Sequence, residues 1–383
     1  MAVDLLLRSG RIIDPGQGLD FVGDLLIEDG RIRTIGQHLT VNEGLTALDV
    51  SGLIITPGLI DLHTHVYPGV TNLGVMPDTV GVGMGVTTVV DAGSAGSRNF
   101  EPFLETTIRE SQTRVLVFLN AAGDGLIREK GELADLRNVT FAESLEKVKD
   151  YPGVIRGIKA RASASVVGDL GVKPIALAKD LAFQAGIPLV VHIGNAPPRL
   201  EEVLELLQRG DIVTHSFHGK PGGILGAGGE PLPEVLAARE RGVLFDLGHG
   251  TSSFCFHTAR KAFQAGFLPD TVGTDIYSQN LAGPVFSLAV TMSKLLALGL
   301  ELPTVIAMAT AGAASALGLA GTVGTLRPGV EADVTVLQLC QGGFSFSDSE
   351  GERLDGRYLL NPVMVLRKGE VTRLSGDCER ARW

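Results

Sequence analysis

The sequence predicts an α/β chain: a (β/α)8 TIM barrel with a small β-sandwich domain formed from both chain termini. Three observations predict it. Eight short runs rich in Val, Ile and Leu recur through the middle of the chain, separated by roughly 25 to 40 residues, the spacing of βαβ units. Several of these runs end in histidine, lysine or aspartate, where a barrel offers its functional side chains. The two ends of the chain share a different pattern, short apolar runs broken by turn residues.

The N-terminal part supplies Leu5-Leu6-Leu7, Arg11-Ile12-Ile13, Asp24-Leu25-Leu26-Ile27 and Arg31-Ile32-Arg33-Thr34-Ile35, with nothing helical between them. Asp14-Pro15-Gly16 and Glu28-Asp29-Gly30 are turn signals, and the second suits a hairpin. The pattern returns at Asp333-Val334-Thr335-Val336-Leu337 and over residues 363–371. Residues 1–55 with 325–383 are therefore expected to form one small β domain, and residues 56–324 the barrel.

The central runs are 59–63, 86–91, 115–120, 154–159, 189–192, 212–215, 243–247 and 271–275, with helical stretches such as 177–185 and 200–208 between them. Parallel strands buried on both faces read as near-continuous apolar runs, as these do. An open doubly wound sheet is the alternative, but no G-x-G-x-x-G turn follows a first strand. Gly81-Val82-Gly83-Met84-Gly85 precedes a strand and reads as a helix-to-strand connection. The glycine-rich stretch 220–229 has two readings, a mobile lid or a plain loop.

The chain has 383 residues, too many for one small core. A hydrophobic share of 44% against 20% charged is globular, and 50 glycines suit many tight turns. The charge is 33 − 43 = −10 with no basic block, which argues against nucleic acid or an anionic membrane as partner. A small molecule is the expected partner, and a homo-oligomer is allowed but not specified. Cys255, Cys340 and Cys378 are odd in number and widely spaced, which predicts no disulfide framework and a reducing, cytoplasmic setting. The first eight residues lack the basic and apolar regions of a signal peptide. The apolar stretch 285–300 carries Ser287, Ser293 and Lys294 and is too short to span a bilayer.

His63 and His65 end the first central run, Lys159 the fourth, His192 the fifth, His215 the sixth and Asp275 the eighth. On a strand, Asp61, His63 and His65 share a face, and two imidazoles presented together can hold a divalent metal. Singly, each histidine reads as an ordinary hydrogen-bonded one, and Asp275 as a helix cap. Lys159 is harder to dismiss, because a buried lysine must pair, lose its proton or be modified. Together the six supply donors for two adjacent cations. A neutral amine at 159 can take up CO2 as a carbamate, which is a carboxylate able to bridge two metals. A Schiff-base lysine is the competing role, and it leaves four histidines without use.

On these residues the chain resembles the amidohydrolase superfamily, in the branch with two metals and a carboxylated lysine. The matching pieces are Pro57-Gly58-Leu59-Ile60-Asp61-Leu62-His63-Thr64-His65, Gly157-Ile158-Lys159, Val191-His192, Thr214-His215, Gly273-Thr274-Asp275 and residues 324–333. The resemblance implies His63, His65 and Asp275 on one metal, His192 and His215 on the second, and Lys159 bridging as its CO2-derived carbamate. It implies a hydroxide between the ions as nucleophile and Asp275 as general acid–base. Zinc suits the His-rich set best.

Dihydroorotases follow the paired histidines with an arginine two positions on, where this chain has Tyr67. Ser94, in Gly93-Ser94-Ala95-Gly96, does not form a nucleophile elbow. The chain is more similar to a deacetylase-like branch, through residues 157–163, 214–219 and 246–250. That branch implies removal of an acyl group, notably acetyl, from a small carboxylate-bearing substrate by amide or ester cleavage. Hydrolysis of a cyclic amide is the second reading, and a non-catalytic scaffold the third. Arg161 is a candidate grip for the substrate carboxylate, with His249, His218 and Tyr277 as further pocket candidates. Asp61 is expected to brace one of the paired histidines.

Overall fold

The structure, a computed structural model, describes residues 4–40, 45–127, 130–375 and 378. Its strands are β1 Leu5–Asp14, β2 Leu19–Glu28, β3 Arg31–Gly36, β4 Thr46–Asp49, β5 Ile54–Pro57, β6 Leu59–Thr64, β7 Val86–Gly96, β8 Arg114–Asn120, β9 Ile155–Ala162, β10 Leu189–Ile193, β11 Ile212–Thr214, β12 Leu244–Phe245, β13 Val334–Ser347, β14 Arg353–Arg367 and β15 Glu370–Arg373.

Strands β6 to β12 form one parallel sheet in sequence order. Helices connect them, among them Phe141–Asp150, Lys173–Ala185, Leu200–Leu206 and Pro233–Glu240. The sheet is curled. Ile60, Leu62, Val90, Leu116, Phe118, Val190 and Ile212 form one cluster, packed against Ala313, Ala314, Ala316 and Leu317. Alternate residues such as Val89, Val115, Val117, Val191 and Val213 join the larger cluster with the connecting helices. This is the two-residue period of a strand buried on both faces.

The eighth expected run, 271–275, is not a regular strand. Thr271 bridges Asp246 and Ile276 bridges Thr64, both in parallel sense, so the segment spans from the end of β12 back to β6. Its ladder is interrupted because two buried carboxylates take backbone N–H groups. Gly273 N donates to Asp246 Oδ1 at 2.8 Å and Thr274 N to Asp61 Oδ1 at 2.9 Å. Asp275 N still donates to the His63 carbonyl at 2.7 Å, and His65 N to that of Ile276 at 3.0 Å.

The terminal strands form a second sheet, ordered β15-β14-β13-β5-β1-β2-β3 with β4 beside β1. The sandwich expected of the termini is thus one hydrogen-bonded sheet. Asp29 and Gly30 have φ of 51° and 70°, the two-residue hairpin turn predicted there. Lys368 and Gly369, at 53° and 75°, make a second such turn. The single run expected over 363–371 is therefore a hairpin, with Arg367 opposite Glu370.

The sheets are joined by buried polar contacts. Thr335 Oγ1 accepts from Leu59 N at 3.2 Å and donates to the Gly85 carbonyl at 2.8 Å. Arg114 of β8 reaches Glu331 and Asp333, at 2.5 and 2.9 Å. Cys340 and Cys378 are joined in a disulfide, with Cα atoms 5.8 Å apart, where their spacing predicted none. The separation of 38 residues hid the pair, because two successive strand reversals, β13 to β14 and β14 to β15, lie between the two cysteines. Among the described residues, no helix is long and apolar enough to cross a membrane.

Candidate metal centre

The six strand-end residues singled out in the sequence converge. His63 Nε2 lies 3.4 Å and His65 Nε2 3.1 Å from Asp275 Oδ1. Lys159 Nζ is 3.3 Å from His63 Nε2. The His215 ring is 4.9 Å from that of His63 and 4.2 Å from that of His192, centre to centre. One ligand atom each from His63, His65 and Asp275 lie within 4.8 Å of one another, close enough for one cation.

Three of the imidazoles are oriented through Nδ1. His215 Nδ1 lies 2.7 Å from the Gly248 carbonyl oxygen, which only accepts, so the ring proton is on Nδ1. His63 Nδ1 is 2.9 Å from Thr214 Oγ1, whose own hydrogen goes to Asp246 Oδ2 at 2.7 Å. His65 Nδ1 is 3.1 Å from Ser94 Oγ, which hydrogen-bonds to Asp91. These partners leave the Nε2 lone pairs directed at the centre, the arrangement metal-ligating histidines require. His215 Nε2 is buried with no hydrogen-bond partner among the described residues, an orphan acceptor that a cation would satisfy.

Electrostatics agree with the donor set. Burial holds His63 and His192 well below the usual imidazole range and brings His215 down to about 3, so these rings are neutral at pH 7. Burial lowers Lys159 to about 8, with Asp275 and Asp246 opposing it. Burial raises the Asp275 carboxyl, but the nearby His65, His215 and Lys159 outweigh it, and Asp275 titrates below its ordinary value. His215 and Asp275 have φ of 66° and 52°, left-handed conformations that cost a non-glycine residue about 1 kcal/mol or more. Such strain concentrates at functional sites.

The fit is tight around the backbone as well. A Cβ on Gly273 would lie 2.6 Å from His63 Cβ, and one on Gly93 (φ +90°) 2.9 Å from Lys159 Cγ. Only glycine lets those chains approach so closely.

Asp61 braces backbone rather than an imidazole. It accepts from His63 N at 3.2 Å, Thr274 N at 2.9 Å and Thr274 Oγ1 at 2.5 Å, while burial pushes its carboxyl up to about 7. The rings are braced instead by Thr214 and Ser94. Sequence reading missed both, because a hydroxyl at a strand end is too common to signal anything.

The pocket candidates separate. Arg161, two residues past Lys159 on β9, is paired with Glu132 at 2.5 Å. The Tyr277 hydroxyl contacts that of Thr251, and its ring is 6.2 Å from the His65 ring. His218 Nδ1 accepts from Lys220 N at 3.1 Å, so the neutral ring carries its proton on Nε2, which is buried and without a partner among the described residues. His249 is fully buried, with Nδ1 2.8 Å from the Gly250 carbonyl and Nε2 2.7 Å from Lys294 Nζ. Both its nitrogens are engaged within the protein. The glycine-rich stretch is pinned by buried Ile224, whose carbonyl accepts from Leu232 N at 2.9 Å.

Comparison with known proteins agrees with this geometry. The model of the amidohydrolase family matches residues 54–374. A deacetylase of Brucella anthropi is 36% identical over 366 residues, covering 95% of this chain and 91% of the relative. The crystal structure of an adenine deaminase is 34% identical and superimposes with a TM-score of 0.91 over 97% of this chain and 100% of that one. That of a dihydroorotase is also 34% identical, with a TM-score of 0.90 over 99% and 100%. The family match spans most of the chain and includes all six convergent residues: the chain belongs to the amidohydrolase family and is a hydrolytic enzyme.

Proposed function

We propose that this enzyme is a metal-dependent deacylase that cleaves an amide or ester bond, most simply an acetyl group, of a small carboxylate-bearing substrate. One observation carries the metal reading: four imidazoles, a lysine and a carboxylate packed together, with His215 Nε2 buried and unpartnered. His63, His65 and Asp275 would hold one divalent ion and His192 and His215 the other, with the carbamate of Lys159 between them. Bound there, the two cations, zinc by the preference of a His-rich set, would acidify water and polarise the scissile carbonyl. Asp275, poised over Gly250, would accept the proton of the attacking water and deliver it to the leaving group. The reading takes residues 56–324 as the closed barrel unit and residues 1–55 with 325–383 as its β domain.

Acyl transfer rather than ring opening is favoured by Tyr67. It stands where dihydroorotases carry an arginine, and it is buried, stacked on Phe103 at 4.3 Å between ring centres. A side chain so placed grips no substrate carboxylate. Arg161, oriented by Glu132, would take that role, with His218 Nε2–H as a donor and Tyr277 as a wall beside His65. His249 would act from behind the pocket. The deacetylase relative supports the same reading.

The test is a screen of acetylated hydroxy and amino acids beside hydantoins and dihydropyrimidines, with metal measured on the same sample. Activity on the acetylated set, abolished by chelation and restored by Zn2+ with bicarbonate, is expected. Lys159→Ala that stayed fully active, or turnover confined to the cyclic compounds, would overturn the proposal.

A further inference from the structure

The helix Leu288–Ala297 is buried along Leu288–Leu295, and Lys294 stands in it fully buried. Its Nζ donates to the Pro284 carbonyl at 2.6 Å and lies 2.7 Å from His249 Nε2. Neither partner is acidic, so this is no buried ion pair. The Gly250 carbonyl oxygen, 2.8 Å from His249 Nδ1, only accepts. The ring proton is therefore on Nδ1, and Nε2 accepts from Lys294. A flipped or rotated ring would set an N–H against the amine. Lys294 thus selects both the tautomer and the orientation of His249.

His249 stands between two glycines that touch the metal centre. The Gly248 carbonyl accepts from His215 Nδ1 at 2.7 Å, and Gly248 adopts φ +55° with His215 Nδ1 2.9 Å from where a Cβ would be. Gly250, at φ +52°, lies against the Asp275 carboxylate. Its carbonyl also accepts from Ser349 Oγ at 3.0 Å, brought by the turn between β13 and β14. The 248–250 turn is therefore clamped from the barrel helix and from the terminal sheet, and both His215 and Asp275 lean on it.

We propose that Lys294 is a positioning residue: through His249 it locks the 248–250 turn, and through that turn the His215 ring and the Asp275 carboxylate. The inference rests on the metal reading above. An apolar side chain at 294 would leave His249 Nε2 a buried acceptor without a donor, free to reorient the ring and loosen the turn.

The test titrates Zn2+ into the purified full-length protein against a chromophoric chelator, alongside kcat and KM on an acetylated substrate. Lys294→Met is expected to weaken zinc binding and lower kcat by roughly 10- to 100-fold, the usual effect of removing an outer support, with KM within about threefold. His249→Leu should do the same, and the double variant should be no worse than the poorer single, because both break one device. His249→Asn, which keeps an N–H for the Gly250 carbonyl, should bind zinc more tightly than His249→Leu. Wild-type zinc affinity in Lys294→Met, or losses that multiply in the double variant, would overturn the proposal. Should Lys294→Met fail to fold, equal zinc affinities of His249→Asn and His249→Leu would do so. A wild type inactive on acetylated substrates refutes the substrate reading alone, since the zinc titration still reads this one.

Discussion

His65 Nε2 and Asp275 Oδ1 are 3.1 Å apart, although 210 positions separate them in the chain. The same oxygen lies 3.4 Å from His63 Nε2, so one carboxylate closes the group that the paired histidines open. Asp275→Asn keeps the shape but removes the carboxylate proposed to accept the proton. It is expected to lower kcat by about 10²- to 10⁴-fold, with circular dichroism unchanged, and kcat measured at saturating substrate is the check.

Thr214 Oγ1 hands the His63 ring to Asp246 through two hydrogen bonds, of 2.9 and 2.7 Å. Thr214→Val preserves volume and removes both. Zinc affinity should fall about 10- to 100-fold, as outer partners of ligating histidines usually contribute. A competition titration that finds wild-type affinity would show that the relay does not orient the ring.

Gly273 faces His63 so closely that a methyl group there would stand 2.6 Å from His63 Cβ and 2.8 Å from Asp246 Oδ2. Gly273→Ala must push β6 and the 271–276 segment apart. Metal content after purification should drop below that of the wild type, and stability should fall by about 1–3 kcal/mol, the usual range for overpacking a filled core. Urea unfolding and elemental analysis on one preparation measure both.

Glu331 and Asp333 gather Arg114, Arg367 and Lys368 where the two sheets meet. Burial raises the Glu331 carboxyl, yet Arg114, Arg367 and Lys368 together outweigh it and hold it below its ordinary value. A carboxyl depressed on folding stabilises fully above its unfolded pKa and loses that contribution as pH falls through the folded one. Glu331→Gln should therefore lower stability at pH 7 and flatten its decline between about pH 5 and pH 3. Chemical denaturation across that range tests the sign, and an unchanged slope would count against the cluster.

The curled parallel sheet was legible because its strands are buried on both faces and so must be near-continuous apolar runs, with polar residues allowed only at their ends. That constraint made His63, His65, Lys159, His192, His215 and Asp275 readable as a set. The terminal sheet was legible as two terminal patterns of one kind. Less could be read where single residues act through distant partners. Lys294 appeared only as a polar interruption of an apolar helix, and nothing nearby in the chain names His249 as its acceptor.

Local chemistry along the chain was enough to fix which residues bring donors to the ends of the buried strands, since a histidine or lysine there has few other uses. Tertiary structure alone decided how those donors are aimed. The hydroxyls of Ser94 and Thr214, the Gly248 carbonyl and the buried carboxylates of Asp61 and Asp246 come from four different segments. It also joined Cys340 to Cys378 and turned the eighth run into a segment pinned by carboxylates instead of a ladder. Hydrogen bonds between residues far apart in the chain leave no period in the sequence, so they become visible only once folding has brought their partners within 3 Å or so.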